Sequence, residues 1–326
     1  MNTRIVYTLI SDETDSYLEQ ALMSVYSLRK YHPDSMVDLV VDSRTEATLE
    51  GKRGKIKEYV TTIVPVEVPE QFDKKSRSRY LKTNLRQLIH GDYLFVDCDT
   101  VICGRLDGID NIEGDMAAVS DVNGPLPLTD ESVVARCESA GFSGLKGQPY
   151  FNSGVMLVRD TPQTHRFYER WYSNWQASAS KGVTFDQPAL CQTNVEMGLP
   201  IRELSGEWNC QFKYRQGYAY LRKALIMHYF NGNGSNQWTY PSDVLFKSIK
   251  NKGAIDSTID KLLCNPKSQL YTVMTINEDD AYRFFNSEMI DVFYNNRPLY
   301  RFVTVLARFL NHPVKRLSQL KSVLKA

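Results

Sequence analysis

The stretch YLFVDCDTVI, residues 93–102, ends an apolar run with two carboxylates separated by one cysteine. Alternate side chains of an extended chain point the same way, so Asp97 and Asp99 converge on one point where the strand ends. Two anionic oxygen donors in that arrangement suit a hard divalent cation. The competing reading is structural, with one aspartate closing a turn and the other solvated.

Elements that could present such a pair alternate along the chain. RIVYTLI (4–10) reads as a strand, and YLEQALMSVYSLRKYH follows with Leu18, Ala21, Leu22, Val25 and Leu28 at helical spacing. VDLVV (37–41), a charged helical stretch near 44–58 and VTTIVPVEV (60–68) continue the pattern, which implies parallel βαβ units. A polar helix at 77–90 leads into YLFVD, followed by DMAAVSD (115–121), a Pro/Gly/Ser-punctuated excursion at 123–149, and FNSGVMLVRD (151–160). An aromatic helix THRFYERWYSNWQ, a helix FDQPALCQTNVEMG (185–198) and a late strand ALIMHYF (224–230) complete the pattern. Ligands of open α/β sheets collect outside the carboxyl ends of the strands. Ser11, Asp12, Asp97, Asp99 and His228 would share that edge.

Composition narrows the function classes. A chain of 326 residues that is 42% hydrophobic supports one large α/β domain or two smaller ones, and a net charge of +1 argues against a nucleic-acid binder. Six cysteines lie scattered without CxxC pairs, so neither a zinc site nor a disulfide framework is signalled and a reducing compartment fits. No signal peptide or spanning segment is evident, so the expected location is the cytoplasm. Residues 297–326 hold seven Arg or Lys and no acid among Leu, Val and Phe; the net charge of +1 less these seven leaves −6 elsewhere. Such a basic amphipathic helix either docks on its own protein or lies on anionic lipid, here the inner face of the membrane.

Two families use a DxD of this kind. Asp97, Asp99 and Val101 resemble the motif of haloacid dehalogenase-type phosphatases, in which Asp97 would be the nucleophile and Asp99 the acid/base. TVMTINEDD, ending in Asp279 and Asp280, resembles that family's distant metal motif. That DxD normally ends the first strand of its fold, whereas three expected strands precede it here.

The wider chain, residues 4–240, resembles glycosyltransferase family 8, the glycogenin and lipopolysaccharide-galactosyltransferase group. Five ordered segments carry the likeness: YTLISDETDSYLEQALMSVYSLRK, RSRYLKTNLRQLIHGDYLFVDCDT, FNSGVMLV, TFDQPAL and MHYFNGNGSNQW. The resemblance implies a GT-A fold, a mixed central sheet flanked by helices, as a catalytic domain over 1–245. A helical extension with the basic tail would occupy 246–326. It implies a retaining transferase that moves a hexose from a UDP-sugar to a saccharide or glycolipid acceptor, in surface glycan or lipopolysaccharide synthesis. Asp97, Asp99 and His228 would ligate Mn2+, with Mg2+ as the second choice, because an imidazole beside two carboxylates favours manganese.

By the same resemblance Leu9, Ser11 and Asp12 surround the uridine and Tyr17 stacks on its base. Lys82, with Arg79 one turn earlier, meets the donor. Asn152 and Ser153 bind sugar hydroxyls, Gly154 permits a close approach, and Asp186 and Gln187 lie beside the anomeric carbon. Independently of the resemblance, backbone N–H groups around Gly232 and Gly234, or Lys82, would offset diphosphate charge. The chain departs from the family between His228 and Trp238, where the usual lysine is missing and Asn236 stands near its place. A non-catalytic nucleotide-sugar binder or membrane scaffold is the remaining alternative.

Overall fold

The computed structural model describes residues 1–124, 126, 128, 130–229 and 243–267, together with 296, 298, 299, 301–303, 305, 306 and 309. Gly232, Gly234, Asn236, Trp238, Asp279 and Asp280 lie outside the described residues, as does most of the basic tail. Met1–Leu270 forms one compact unit and Tyr271–Ala326 a second.

Nine strands are described: β1 (Arg4–Leu9), β2 (Val37–Asp42), β3 (Thr62–Val66), β4 (Tyr93–Val96), β5 (Thr100–Ile102), β6 (Met116–Ser120), β7 (Phe151–Val158), β8 (Ile201–Glu203) and β9 (Ile226–His228). Seven form a central sheet in the order β3-β2-β1-β4-β7-β6-β8. The left side, β3 to β4, is parallel, as the alternating pattern predicts. β7 runs antiparallel to both neighbours, so the sheet is mixed. β2, β4 and β7 are buried along their whole length, which is why they read as near-continuous apolar runs.

The expected late strand is not part of this sheet. β9 pairs with β5 in a separate two-stranded ribbon, in register Thr100↔His228. The charged stretch 44–58 is not one helix either. It divides into a short helix Ser43–Glu46 and a 3-10 helix Arg53–Glu58, parted by Gly51 at φ 51°. Gly51 and Gly54 break the helical run, while Leu49 and Ile56 are buried in the core on either side of them. The helix expected at 77–90 starts at Lys74, where the Asp73 side chain caps the Ser76 N–H, and breaks at Asn84. β8 and the helix Glu131–Ser139, capped by Asp130, arise in stretches that the sequence pattern leaves as loop.

One packing relationship reaches the site directly. The helix Pro162–Ala179 buries Trp171 and Trp175 against the sheet. Trp171 Nε1 donates to the Asp186 carbonyl at 3.1 Å and Trp175 Nε1 to the Thr184 carbonyl at 3.2 Å. Two large indoles thus satisfy their own polar atoms by fixing the backbone that carries Asp186. Beyond β9, the helices Asp243–Lys252 and Ser257–Cys264 belong to the first compact unit, and Tyr26 Oη donates to Asp260 at 2.8 Å.

Candidate active site

β4 ends at Val96, and the Asp97 N–H donates to the Gly154 carbonyl of β7 at 2.7 Å. Asp99 lies just before β5, and His228, at the end of β9, is the register partner of the next residue, Thr100. Ligand atoms of Asp97, Asp99 and His228 all lie within 4.8 Å of one another. The ribbon therefore does what the sequence assigned to the sheet edge, bringing the distant imidazole to the acid pair.

The hydrogen bonds around His228 fix its tautomer. The Gly154 N–H donates to Asn152 Oδ1 at 2.9 Å, which identifies that atom as oxygen. Asn209 Nδ2 donates to the same oxygen at 2.9 Å, so Asn209 Oδ1 accepts from His228 Nδ1–H at 3.0 Å. His228 Nε2 then presents a lone pair to Asp99 Oδ1, 3.0 Å away. Two acceptors at that distance require a shared cation, either a proton or a metal ion. The donor set therefore fits a divalent metal on this geometry, and Asn209 orients the imidazole ligand through its other nitrogen.

Gly154 is required by closeness and not by its backbone angle. A Cβ there would lie 2.4 Å from His228 Cε1, 2.8 Å from Asp97 Oδ2 and 2.8 Å from Asn152 Oδ1. The glycine of FNSGVMLV is what lets imidazole and carboxylate meet.

Lys82 ties the acid pair to the segment held by the tryptophans. Its Nζ donates to Asp97 Oδ1 at 3.0 Å and Oδ2 at 3.1 Å and to Ser153 Oγ at 3.2 Å, and lies 3.8 Å from Asp186 Oδ2. Ser153 Oγ donates to Asp186 Oδ2 at 2.6 Å. Arg79 Nε stands 2.9 Å from Asp186 Oδ1, close enough for an ion pair but off the axis of a hydrogen bond. Burial favours the neutral acid at Asp186, yet Arg79, Lys82 and the Ser153 hydroxyl outweigh it and hold the carboxyl at about 2. Burial pushes Asp97 up against the pull of Lys82, with Asp99 adding to the rise. Burial acts on Asp99 too, but His228 beside it keeps that carboxyl below the usual range.

These groups border a cleft of about 620 Å³ lined by Thr8, Leu9, Tyr17, Gln20, Arg79 and Lys82 beside the acid pair, among others. Tyr17 is exposed, with Lys74 Nζ 5.8 Å from its ring centre. Asp12 pairs with Lys74 at 2.7 Å, which holds its carboxyl well below the usual range together with the Thr14 hydrogen bonds. Ser11 is buried, donating to Asp15 at 2.8 Å and accepting from Arg53 at 3.1 Å; it is not among the cleft-lining residues. Asn152 is buried between Asp121 and Asn209, and Gln187 Nε2 reaches the Phe151 carbonyl at 3.4 Å.

Sequence reasoning missed Gln20, Lys75, Phe185, Lys213, Tyr214 and Asn209. Lys75, Ser78, Arg79 and Lys82 share one helix face at spacings of three and four, a signal that was readable. Asn209 had no such signal, because its role exists only once β9 folds back.

The profile of Glycosyl transferase family 8 matches residues 8–240, well over half of the chain. The chain belongs to this family. A family 8 glycosyltransferase is what the geometry fits, and the phosphatase alternative falls away: Asp97 follows the fourth strand, and Asp99 is engaged by His228. No curated protein matches the chain in sequence. Among solved structures, the galactosyltransferase LgtC in complex with donor and acceptor sugar analogs is 16% identical, with a TM-score of 0.51, covering 79% of this chain and 99% of that one. The bifunctional glycosyltransferase WbbM in its apo form is 15% identical, with a TM-score of 0.51, over 81% and 52%. The apo form of GlyE from Streptococcus pneumoniae TIGR4 is 14% identical, with a TM-score of 0.50, over 84% and 64%. At these identities the likeness establishes the GT-A fold.

Proposed function

We propose that this glycosyltransferase moves a hexose from a UDP-sugar to a saccharide or glycolipid hydroxyl with retention at the anomeric carbon. The observation that carries the reading is the meeting of Asp97, Asp99 and His228 beside a cleft that Tyr17 also lines. A divalent ion held by these three, Mn2+ in preference to Mg2+, supplies the Lewis acid that a departing diphosphate needs. The catalytic machinery lies within residues 1–245, and residues 246–326 are an extension.

The chain's own groups take the remaining roles. Tyr17 offers an exposed aromatic face to the uracil, and Leu9 borders it. Asp12, with Lys74, marks the ribose end, and Ser11 supports that loop through Asp15 and Arg53. Lys82 places a positive charge between Asp97 and Asp186, where charge develops as the bond to phosphate breaks. Gly232 and Gly234 supply backbone N–H groups to the diphosphate. Arg79 and Ser153 keep Asp186 ionised beside the sugar, with Asn152 and Gln187 as its neighbours.

The tail supports a peripheral location at the cytoplasmic face of an anionic membrane. Its described residues are helical, and Phe302, Val305, Leu306 and Phe309 are exposed at a spacing that places them on one face. No described helix is long and apolar enough to cross a membrane.

A panel of UDP-sugars tested for Mn2+-dependent hydrolysis and transfer decides the donor. Turnover of one UDP-hexose, lost with chelator, is the expected outcome. Binding of UDP without turnover of any donor would instead make the protein a nucleotide-sugar binder.

A further inference from the structure

The helix Lys74–Thr83 carries five cations, and four have carboxylate partners. Lys74 pairs with Asp12 and Asp15, Arg77 with Asp42, Arg79 with Asp186 and Lys82 with Asp97. Lys75 pairs with no acid among the described residues. Its Nζ instead lies 4.1 Å from the centre of the Phe185 ring. Arg136, from the helix Glu131–Ser139, approaches the same ring, with its guanidinium carbon 5.3 Å from the centre, and also has no ion pair among the described residues. Lys213, from a third segment, is exposed and likewise unpaired among the described residues. Lys75, Phe185 and Lys213 all line the cleft.

An aromatic face attracts each cation but carries no net charge, so it gathers like charges without neutralising them. Desolvation and the neighbouring Arg79 already work against the charged form of Lys75. Every other cation of its helix is placed against an acid, so Lys75 and Arg136 on one ring, with Lys213 on the wall of the cleft that Lys75 also lines, leave a positive charge that an incoming anion would complete. The donor diphosphate does not account for it, because that charge has the Asp97–Asp99–His228 site and Lys82.

We propose that the acceptor of this enzyme is an anionic saccharide, whose phosphate or carboxylate group is bound at the cleft mouth by Lys75, Arg136 and Lys213. Phe185 holds the first two in place. The proposal rests on the glycosyltransferase reading of the cleft and adds the chemical class of its second substrate.

Ligand-observed NMR titrations of glucose 6-phosphate, glucuronate and glucose into the full-length protein, each with and without UDP and Mn2+, test it. At least one anionic sugar should bind about tenfold more tightly than glucose, and which of the two does so names the charge. That preference should shrink with added salt and vanish in the triple variant Lys75→Gln, Arg136→Gln, Lys213→Gln, whose exposed side chains leave the fold intact. Equal affinities for charged and neutral sugars overturn the proposal, as does a preference that survives in the triple variant. A triple variant that loses UDP affinity while the sugars still bind alike assigns the cations to the donor and overturns it too. Failure of the wild type to bind UDP refutes the donor reading, and the titrations without UDP still decide this one.

Discussion

His228 Nε2 lies 3.0 Å from Asp99 Oδ1 across 129 residues of sequence. The β5–β9 ribbon sets that distance, because Thr100 and His228 are register partners and Asp99 immediately precedes Thr100. The imidazole can turn neither nitrogen elsewhere, since Asn209 occupies Nδ1. The acid pair and the imidazole are thus one device assembled by strand pairing.

Gly154→Ala should disable that device while the fold persists. The added methyl would meet His228 and Asp97 at 2.4 and 2.8 Å, and both are held by hydrogen bonds. We expect Mn2+ affinity to fall at least about tenfold, as for disturbed ligand orientation elsewhere, with the far-ultraviolet circular dichroism unchanged. Titration with Mn2+ followed by electron paramagnetic resonance reads the loss directly.

The acid limb of stability should carry the mark of Asp186. Its carboxyl is depressed to about 2 in the folded protein, against about 4 in an unfolded chain. A depressed acid gives stability that is fully present above about pH 4 and is lost as pH falls through about 2. Asp186→Asn should therefore flatten denaturant-unfolding stability against pH between those limits. An unchanged slope would mean that Arg79 and Lys82 do not stabilise the ionised form.

Trp171→Phe should destabilise the protein by about 0.5–1.5 kcal/mol, because it removes one of two donors to the buried Asp186 carbonyl and leaves only the Leu190 N–H. The same change should lower turnover more than it raises the donor KM, since Asp186 loses its fixed position and the nucleotide contacts stay. Urea unfolding and steady-state kinetics check the two parts.

The left half of the fold was legible because β1, β2 and the helix Tyr17–Tyr31 each agree with the local period of their side chains. Asp97 and Asp99 were legible for a related reason, since alternation at a strand end turns both carboxylates one way, whereas Gly154 came through the family resemblance alone. β8 and β5 are three residues each, too short for any period to register. The placement of β9 outside the sheet was not readable, because pairing with β5 is a tertiary choice between two apolar neighbours. Ser11 shows a similar limit: its hydroxyl donates to Asp15 and accepts from Arg53, and Arg53 lies 42 residues on in the chain.

Deletion of residues 297–326 should reduce co-sedimentation with anionic liposomes by at least about tenfold, given roughly 1 kcal/mol for each basic residue near the surface. Neutral liposomes should bind both forms weakly. Equal binding of the truncated and full-length chains to anionic liposomes would make the tail structural.

The central claim is that Asp97, Asp99 and His228 hold the ion on which the donor's diphosphate depends. Calorimetric titration of UDP into the protein with and without Mn2+ tests it most directly, in the wild type and in Asp97→Asn. The account predicts UDP binding that requires Mn2+ and weakens at least about 100-fold in the variant, in line with losing a buried charged contact. Equal UDP affinity with Mn2+ or chelator, or in Asp97→Asn and wild type, would contradict it.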